Sequence, residues 1–95
     1  MFENIKRFFG IYKPDYEYLV NIKDIKIKPE FERTTIGINK WIKKLKYFNE
    51  TGYFQSHIII NSNWELVDGY SSYKIAIKYG LDKVPVYFEK NINCR

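Results

Sequence analysis

The polar groups best placed for chemistry in this chain lie in one short stretch, Asp68-Gly69-Tyr70-Ser71-Ser72. It falls between an apolar run and a helical pattern, so it opens a helix. The first amides of a helix lack intrahelical acceptors and carry partial positive charge, and a glycine beside them lets backbone approach a guest closely. Ser71 and Ser72 add hydroxyl donors. Asp68 is a natural N-cap, accepting from those first amides. The alternative for Asp68 is a magnesium ion beside a bound anion, where one or two carboxylates suffice. Glu65 is the obvious second carboxylate. Strand alternation puts Glu65 and Leu66 on opposite faces and leaves Asp68 beyond the strand end, so spacing alone does not bring the two together.

Other chemistry-bearing residues are sparse. His57 is the sole histidine. With no second His or Cys nearby it forms no zinc set, and a Ser/His/Asp arrangement would have to be assembled by the fold. Cys94 is the sole cysteine, which excludes a disulfide framework. Lys40, Lys43 and Lys44 form a basic helix face that could lie along a nucleic-acid backbone, although a solvated surface predicts the same residues. Sixteen Lys and Arg against eleven Asp and Glu give a net charge of +5, which favours anionic partners. Arginine is confined to Arg7, Arg33 and Arg95. The chain is therefore poorly equipped for bidentate recognition of bases or phosphates.

These groups need elements to hold them. Ninety-five residues, 45% hydrophobic and 19% aromatic, suit one domain with one core and are too apolar for disorder. No apolar run approaches the roughly 20 residues of a membrane span. The opening residues have no uninterrupted apolar stretch of the secretory kind, so a cytoplasmic location is expected.

Phe2, Ile5, Phe8 and Phe9 recur at helical spacing before Gly10, predicting a short amphipathic segment and link over residues 1–17. The domain proper is expected over 18–90, with a tail at 91–95. Tyr18 to Ile22 reads as a strand, Lys23-Asp24 turns, and Ile25 to Lys28 alternates apolar and polar before Pro29. Pro29 to Thr35 reads as irregular. From Ile38 to Asn49 the period becomes helical, with Trp41, Ile42, Leu45 and Phe48 on one stripe and the lysines away from it. His57 to Asn61 reads as a central strand, turning at Ser62-Asn63 into Trp64 to Val67. A second helix is expected from Tyr70 to Tyr79, with Tyr73, Ala76 and Ile77 inward, stopping at Gly80. Val84 to Phe88 closes the sheet, and Pro85 argues for an edge position or a bulge. The last strand–helix–strand unit, Trp64 to Phe88, calls for at least one parallel pair.

Three stretches then resemble one known pattern. They are Val20-x-Ile22-x-x-Ile25, Leu66-Val67-Asp68-Gly69-Tyr70, and Tyr73-x-x-Ala76-x-x-x-Gly80-Leu81-x-x-Val84-Pro85-Val86. Together they resemble the ParB N-terminal/sulfiredoxin-like superfamily, often labelled ParB-like nuclease domain, over roughly Tyr18 to Phe88. Asp68 to Val86 is the most specific part. The resemblance implies a small α+β domain with two main helices in the order β-α-β-β-α-β. It also implies a nucleotide or phosphate site at Asp68, Gly69, Tyr70, Ser71 and Ser72. Relatives bind CTP (partition proteins) or ATP (sulfiredoxins and a free-serine kinase), so CTP or ATP with magnesium is the implied ligand. Some relatives have been described as nucleases. In the family, the region of Glu30, Glu32, Arg33, Thr34 and Thr35 lines the nucleotide cleft.

The departures from the family are specific. Family members commonly carry a basic pair or His-Arg where this chain has Ser71-Ser72, and losing the Arg removes a charge-assisted bond to phosphate. Tyr70 stands where sulfiredoxins place their reactive cysteine, so that chemistry is absent. The helix-turn-helix and dimerisation regions that follow this module in partition proteins are likewise not expected here. The chain is expected to be a degenerate single-domain member, a nucleotide- or phosphate-binding module with a basic surface for nucleic acid. An active enzyme is the lesser expectation: nucleotide hydrolysis, phosphoryl transfer or nuclease action, with Asp68 or Glu65 holding a metal. A third reading is a protein-interaction domain with a vestigial site, using Phe2–Phe9 or an exposed sheet edge.

Overall fold

Ile58, Ile59 and Ile60 are consecutive, β-branched and apolar, which suits a strand covered on both faces. In the computed structural model, which describes residues 16–90, they form strand β2 (Ile58–Ile60) in the interior of a four-stranded sheet. The other strands are β1 (Glu17–Asn21), β3 (Leu66–Asp68) and β4 (Lys83–Phe88), in the spatial order β1-β4-β2-β3. β4 runs antiparallel to β1 and parallel to β2, and β2 runs antiparallel to β3. The helices are α1 (Pro29–Glu32), α2 (Ile38–Thr51) and α3 (Tyr70–Lys78). The result is a small α+β domain with a mixed sheet, in the expected order apart from α1, which folds part of the stretch read as irregular.

The core follows from alternation. Val84, Val86 and Phe88 of β4 point inward, joined by Val20, Ile58, Ile60 and Leu66 from the neighbouring strands. Complete burial of each aliphatic side chain contributes roughly 1.5–3 kcal/mol. α3 packs on β2 and α2 and covers this layer with Ile75 and Ala76, both buried. Phe48 joins α2 to the rest, stacked on Phe54 at 5.0 Å and tilted against Tyr79 at 5.3 Å. The β2–β3 connection is held by Asn61, whose Oδ1 accepts from the amides of Asn63 and Glu65, both at 2.9 Å. This is the turn expected at Ser62-Asn63, closed by the Asn61 amide donating to the Glu65 carbonyl at 3.0 Å, with the strand ladder running from Leu66.

Several expectations need correction. Pro85 is not on an edge, because β4 is an interior strand and Pro85 pairs opposite Leu19. The proline is tolerated because β2 joins β4 only from Val86 onward, so at Pro85 the strand has β1 alone as its ladder partner. The expected parallel pair is present as β2–β4, although the crossover begins one strand earlier than the Trp64–Phe88 unit suggested. Ile25 to Lys28 does not form a strand. A 3-10 turn at Ile22–Asp24 is followed by a single bridge from Lys26 to Glu65. On α3, Ile77 is exposed, and Ile75 faces inward in its place. On α2, Ile38 and Ile42 are 66% and 53% exposed while Trp41, Leu45 and Phe48 are half-buried, so the apolar stripe is turned partly away from the packed face. The expected Phe2–Phe9 segment and the tail at 91–95 lie outside the described residues.

Candidate functional site

α3 begins where β3 ends, and Gly69 makes the junction. Its backbone is left-handed, with φ 87°, a region glycine enters without penalty. A Cβ built there would meet the His57 carbonyl oxygen at 2.2 Å and Ile58 Cα at 2.8 Å. The mouth of α3 is therefore pressed against the start of β2, and only glycine fits.

Asp68 does not cap α3. Gly69 occupies the N-cap position, and no side chain accepts from the first amides of the helix. Asp68 still belongs to β3, one residue too early to reach them, and its Oδ1 accepts from the Gly69 amide at 2.8 Å. The first helical bond runs from the Tyr73 amide to the Gly69 carbonyl at 3.0 Å. Among the described residues, the amides of Tyr70, Ser71 and Ser72 find no acceptor within the protein.

The two serines have different fates. Ser72 is 1% exposed, and its hydroxyl donates to the Ser56 carbonyl at 2.6 Å, so it braces α3 against the segment before β2. That hydroxyl is not available to a ligand. Ser71 is half-buried and borders an open cleft of about 250 Å³.

Asp68, Gly69 and Tyr70 share that cleft with Ser71. Opposite them run Thr34 to Gly37, the connection from α1 to α2. Tyr70 stacks on Phe31 at 5.4 Å, closing one side with aromatic faces. Behind Tyr70 lies Tyr73, whose phenol is raised above its usual pKa by burial and then by Tyr70 and Glu32. Lys74 sits over the outer face of Tyr70, 5.9 Å from the ring centre.

α2 supplies the cations. Lys40 and Lys44, one helical turn apart, both line the cleft, whereas Lys43 is exposed and does not. The three lysines therefore do not share one solvated face. Lys44 is only 9% exposed, and its Nζ hydrogen-bonds Ser56 Oγ. Burial holds its pKa below that of a free lysine, Lys40 lowers it further, and Asp68 opposes both. Hydropathy places Lys44 on the outer face, and only the rotated stripe of α2 brings it inward. The four-residue spacing of Lys40 and Lys44 is the available signal.

The second carboxylate does not converge with the first. Glu65 accepts from Asn61 Nδ2 at 2.9 Å in the hairpin turn, and Asp68 is the only carboxylate lining the cleft among the described residues. No group of three or more His, Cys, Asp or Glu assembles among the described residues. His57 is exposed beside Tyr87, with ring centres 4.6 Å apart. Of the loop residues, Thr34 and Thr35 reach the cleft, while Glu30, Glu32 and Arg33 do not line it.

Solved structures share this fold. A ParB N-domain described as pNOB8-like superposes with a TM-score of 0.64 at 26% identity, over 77% of this chain and 29% of its own. Sulfiredoxin from Arabidopsis thaliana superposes at 0.64 and 16% identity, over 80% of this chain and 86% of its own. The fold is that of the ParB N-terminal/sulfiredoxin-like superfamily. The partition protein ParB from Caulobacter crescentus, solved with CTP-γ-S, shares the superfamily fold with a TM-score of 0.60 at 17% identity. That match covers 80% of this chain and 45% of the ParB chain. This chain spans under a third of the pNOB8-like protein and under half of the Caulobacter one. No family model and no curated protein matches the chain.

Proposed function

We propose that this superfamily domain is a nucleotide- or phosphate-binding module whose ligand sits in the cleft at the mouth of α3. The observation that carries the reading is convergence. Amides of α3 without acceptors, an approachable glycine backbone, and Lys40 and Lys44 from another helix all border one cleft. Amides and a helix dipole favour an anion there, and Lys40 supplies the charge that Ser71-Ser72 cannot. The CTP-γ-S bound to the Caulobacter ParB supports a cytidine or other nucleoside triphosphate as the guest. Magnesium fits such a guest, since it needs few protein ligands beside phosphate oxygens, and Asp68 is the carboxylate at hand.

Titration of the purified protein with CTP, ATP and their diphosphates, with and without magnesium, tests the reading. Submillimolar binding is expected, weakened about tenfold by Lys40→Ala, since a charge-assisted hydrogen bond contributes about 1.5–3 kcal/mol and Lys40 is exposed. Absence of binding below millimolar for every nucleotide would falsify it. The wider basic charge supports a weaker association with nucleic acid along the exposed Lys40 and Lys43.

A further inference from the structure

We propose that Ser56 is an acyl-accepting nucleophile with Lys44 as its base, so that the cleft hydrolyses small acyl esters, an activity that does not depend on nucleotide binding. The central observation is the hydrogen bond between Lys44 Nζ and Ser56 Oγ, which joins α2 to the segment before β2. A lysine that gives up most of its exposure for a serine hydroxyl is costly, because a carboxylate in water would suit an ammonium better. Burial and the nearby Lys40 favour the free amine, the form able to accept the hydroxyl proton. Asp68 pulls the other way, and the net displacement is downward.

Two further features complete the constellation. Ser56 is half-buried and borders the cleft, and its own carbonyl is held by the Ser72 hydroxyl at 2.6 Å, which fixes the backbone carrying the nucleophile. Tyr70 and Ser71, whose amides lack acceptors among the described residues, border the same cleft. Paired amides at a helix start are donors for a developing oxyanion, and serine–lysine pairs replace the histidine of the usual triad.

The step balances with water alone. Ser56 Oγ bonds to the ester carbonyl carbon as its proton passes to Lys44 Nζ, and the carbonyl oxygen becomes an oxyanion facing the α3 amides. The bond from carbon to the alcohol oxygen then breaks, and Lys44 returns the proton to that oxygen. Water repeats the sequence on the acyl-serine and frees Ser56.

The experiment treats the full chain with a fluorophosphonate probe and locates the adduct by intact mass and peptide mapping. One adduct on Ser56 is expected, absent in Ser56→Ala. That variant keeps the brace from Ser72, which uses the backbone carbonyl, and a thermal melt confirms that it folds. Lys44→Arg keeps a hydrogen-bond donor at this position but stays protonated and cannot act as a base, and it should slow labelling about 100-fold, the scale of general-base catalysis. The wild-type labelling rate should rise with pH and level off below the ordinary lysine value, and Lys44→Arg should lose that profile. No adduct, an adduct elsewhere, or equal rates in Lys44→Arg would overturn the proposal. Failure of the nucleotide reading would leave the Ser56 adduct untouched.

Discussion

Gly69 and Lys44 are the two residues on which the cleft depends, and each makes a measurable prediction. Gly69 combines a left-handed backbone with a close approach to the His57 carbonyl. Gly69→Ala is therefore expected to lose about 2–5 kcal/mol, the sum of left-handed strain and overpacking, as read by urea denaturation. A change under about 1 kcal/mol, the least that left-handed strain alone would cost, would mean that α3 does not press on β2 as described. Lys44 has a folded pKa below its unfolded value, through burial first, then Lys40. The unfolded chain then binds more protons between the two values, so stability rises with pH across that interval. Lys44→Met should be at least as stable as the wild type near neutrality. Its advantage should shrink as pH climbs through the folded pKa towards 10.5. An advantage that grows with pH would mean the shift has the opposite sign.

Among the elements, α2 packs on α3 and supplies both lysines of the cleft. Its anchor is aromatic, with Phe48 against Phe54 and Tyr79, and a hydrogen bond from the Tyr79 hydroxyl to Asn49 Oδ1 at 2.6 Å. Phe48→Ala should cost about 2–4 kcal/mol, slightly under the usual range because the ring is only half-buried. Hydrogen exchange should show amide protection falling first in Ile38–Thr51, before the sheet is affected. Uniform loss of protection would mean that α2 and the sheet open as one unit. The same element explains why Lys44 looks solvated in the sequence. Trp41, Ile42, Leu45 and Phe48 mark a helix and its stripe, but a stripe wider than its partner can rotate, and here the rotation turns Lys44 inward and leaves Ile42 exposed. Pro85 departs from expectation for a comparable reason: its rule concerns ladder partners, and strand order is not encoded in the local sequence.

At the scale of the whole molecule the surplus of lysine sets long-range behaviour. Association with duplex or single-stranded nucleic acid should weaken as salt rises. Removing both Lys40 and Lys43 should lower the slope of log K against log salt by about 2, close to one unit for each phosphate that is no longer neutralised. An unchanged slope would assign any such association to other cations. Among the described residues, no helix is long and apolar enough to cross a membrane.

Periodicity and breakers by themselves determined the order of elements, the helical span from Ile38, the break at Asp68-Gly69, and the closing strand from Val84 to Phe88. Each of these depends on neighbours within a few residues, where backbone sterics and side-chain spacing act. Only the tertiary structure decided that Gly69 rather than Asp68 starts α3, that Ser72 is a brace, that Glu65 stays in its hairpin, and that Lys44 reaches Ser56 twelve residues away. Those outcomes turn on helix rotation and strand order, which are set by how separate elements fill one shared core.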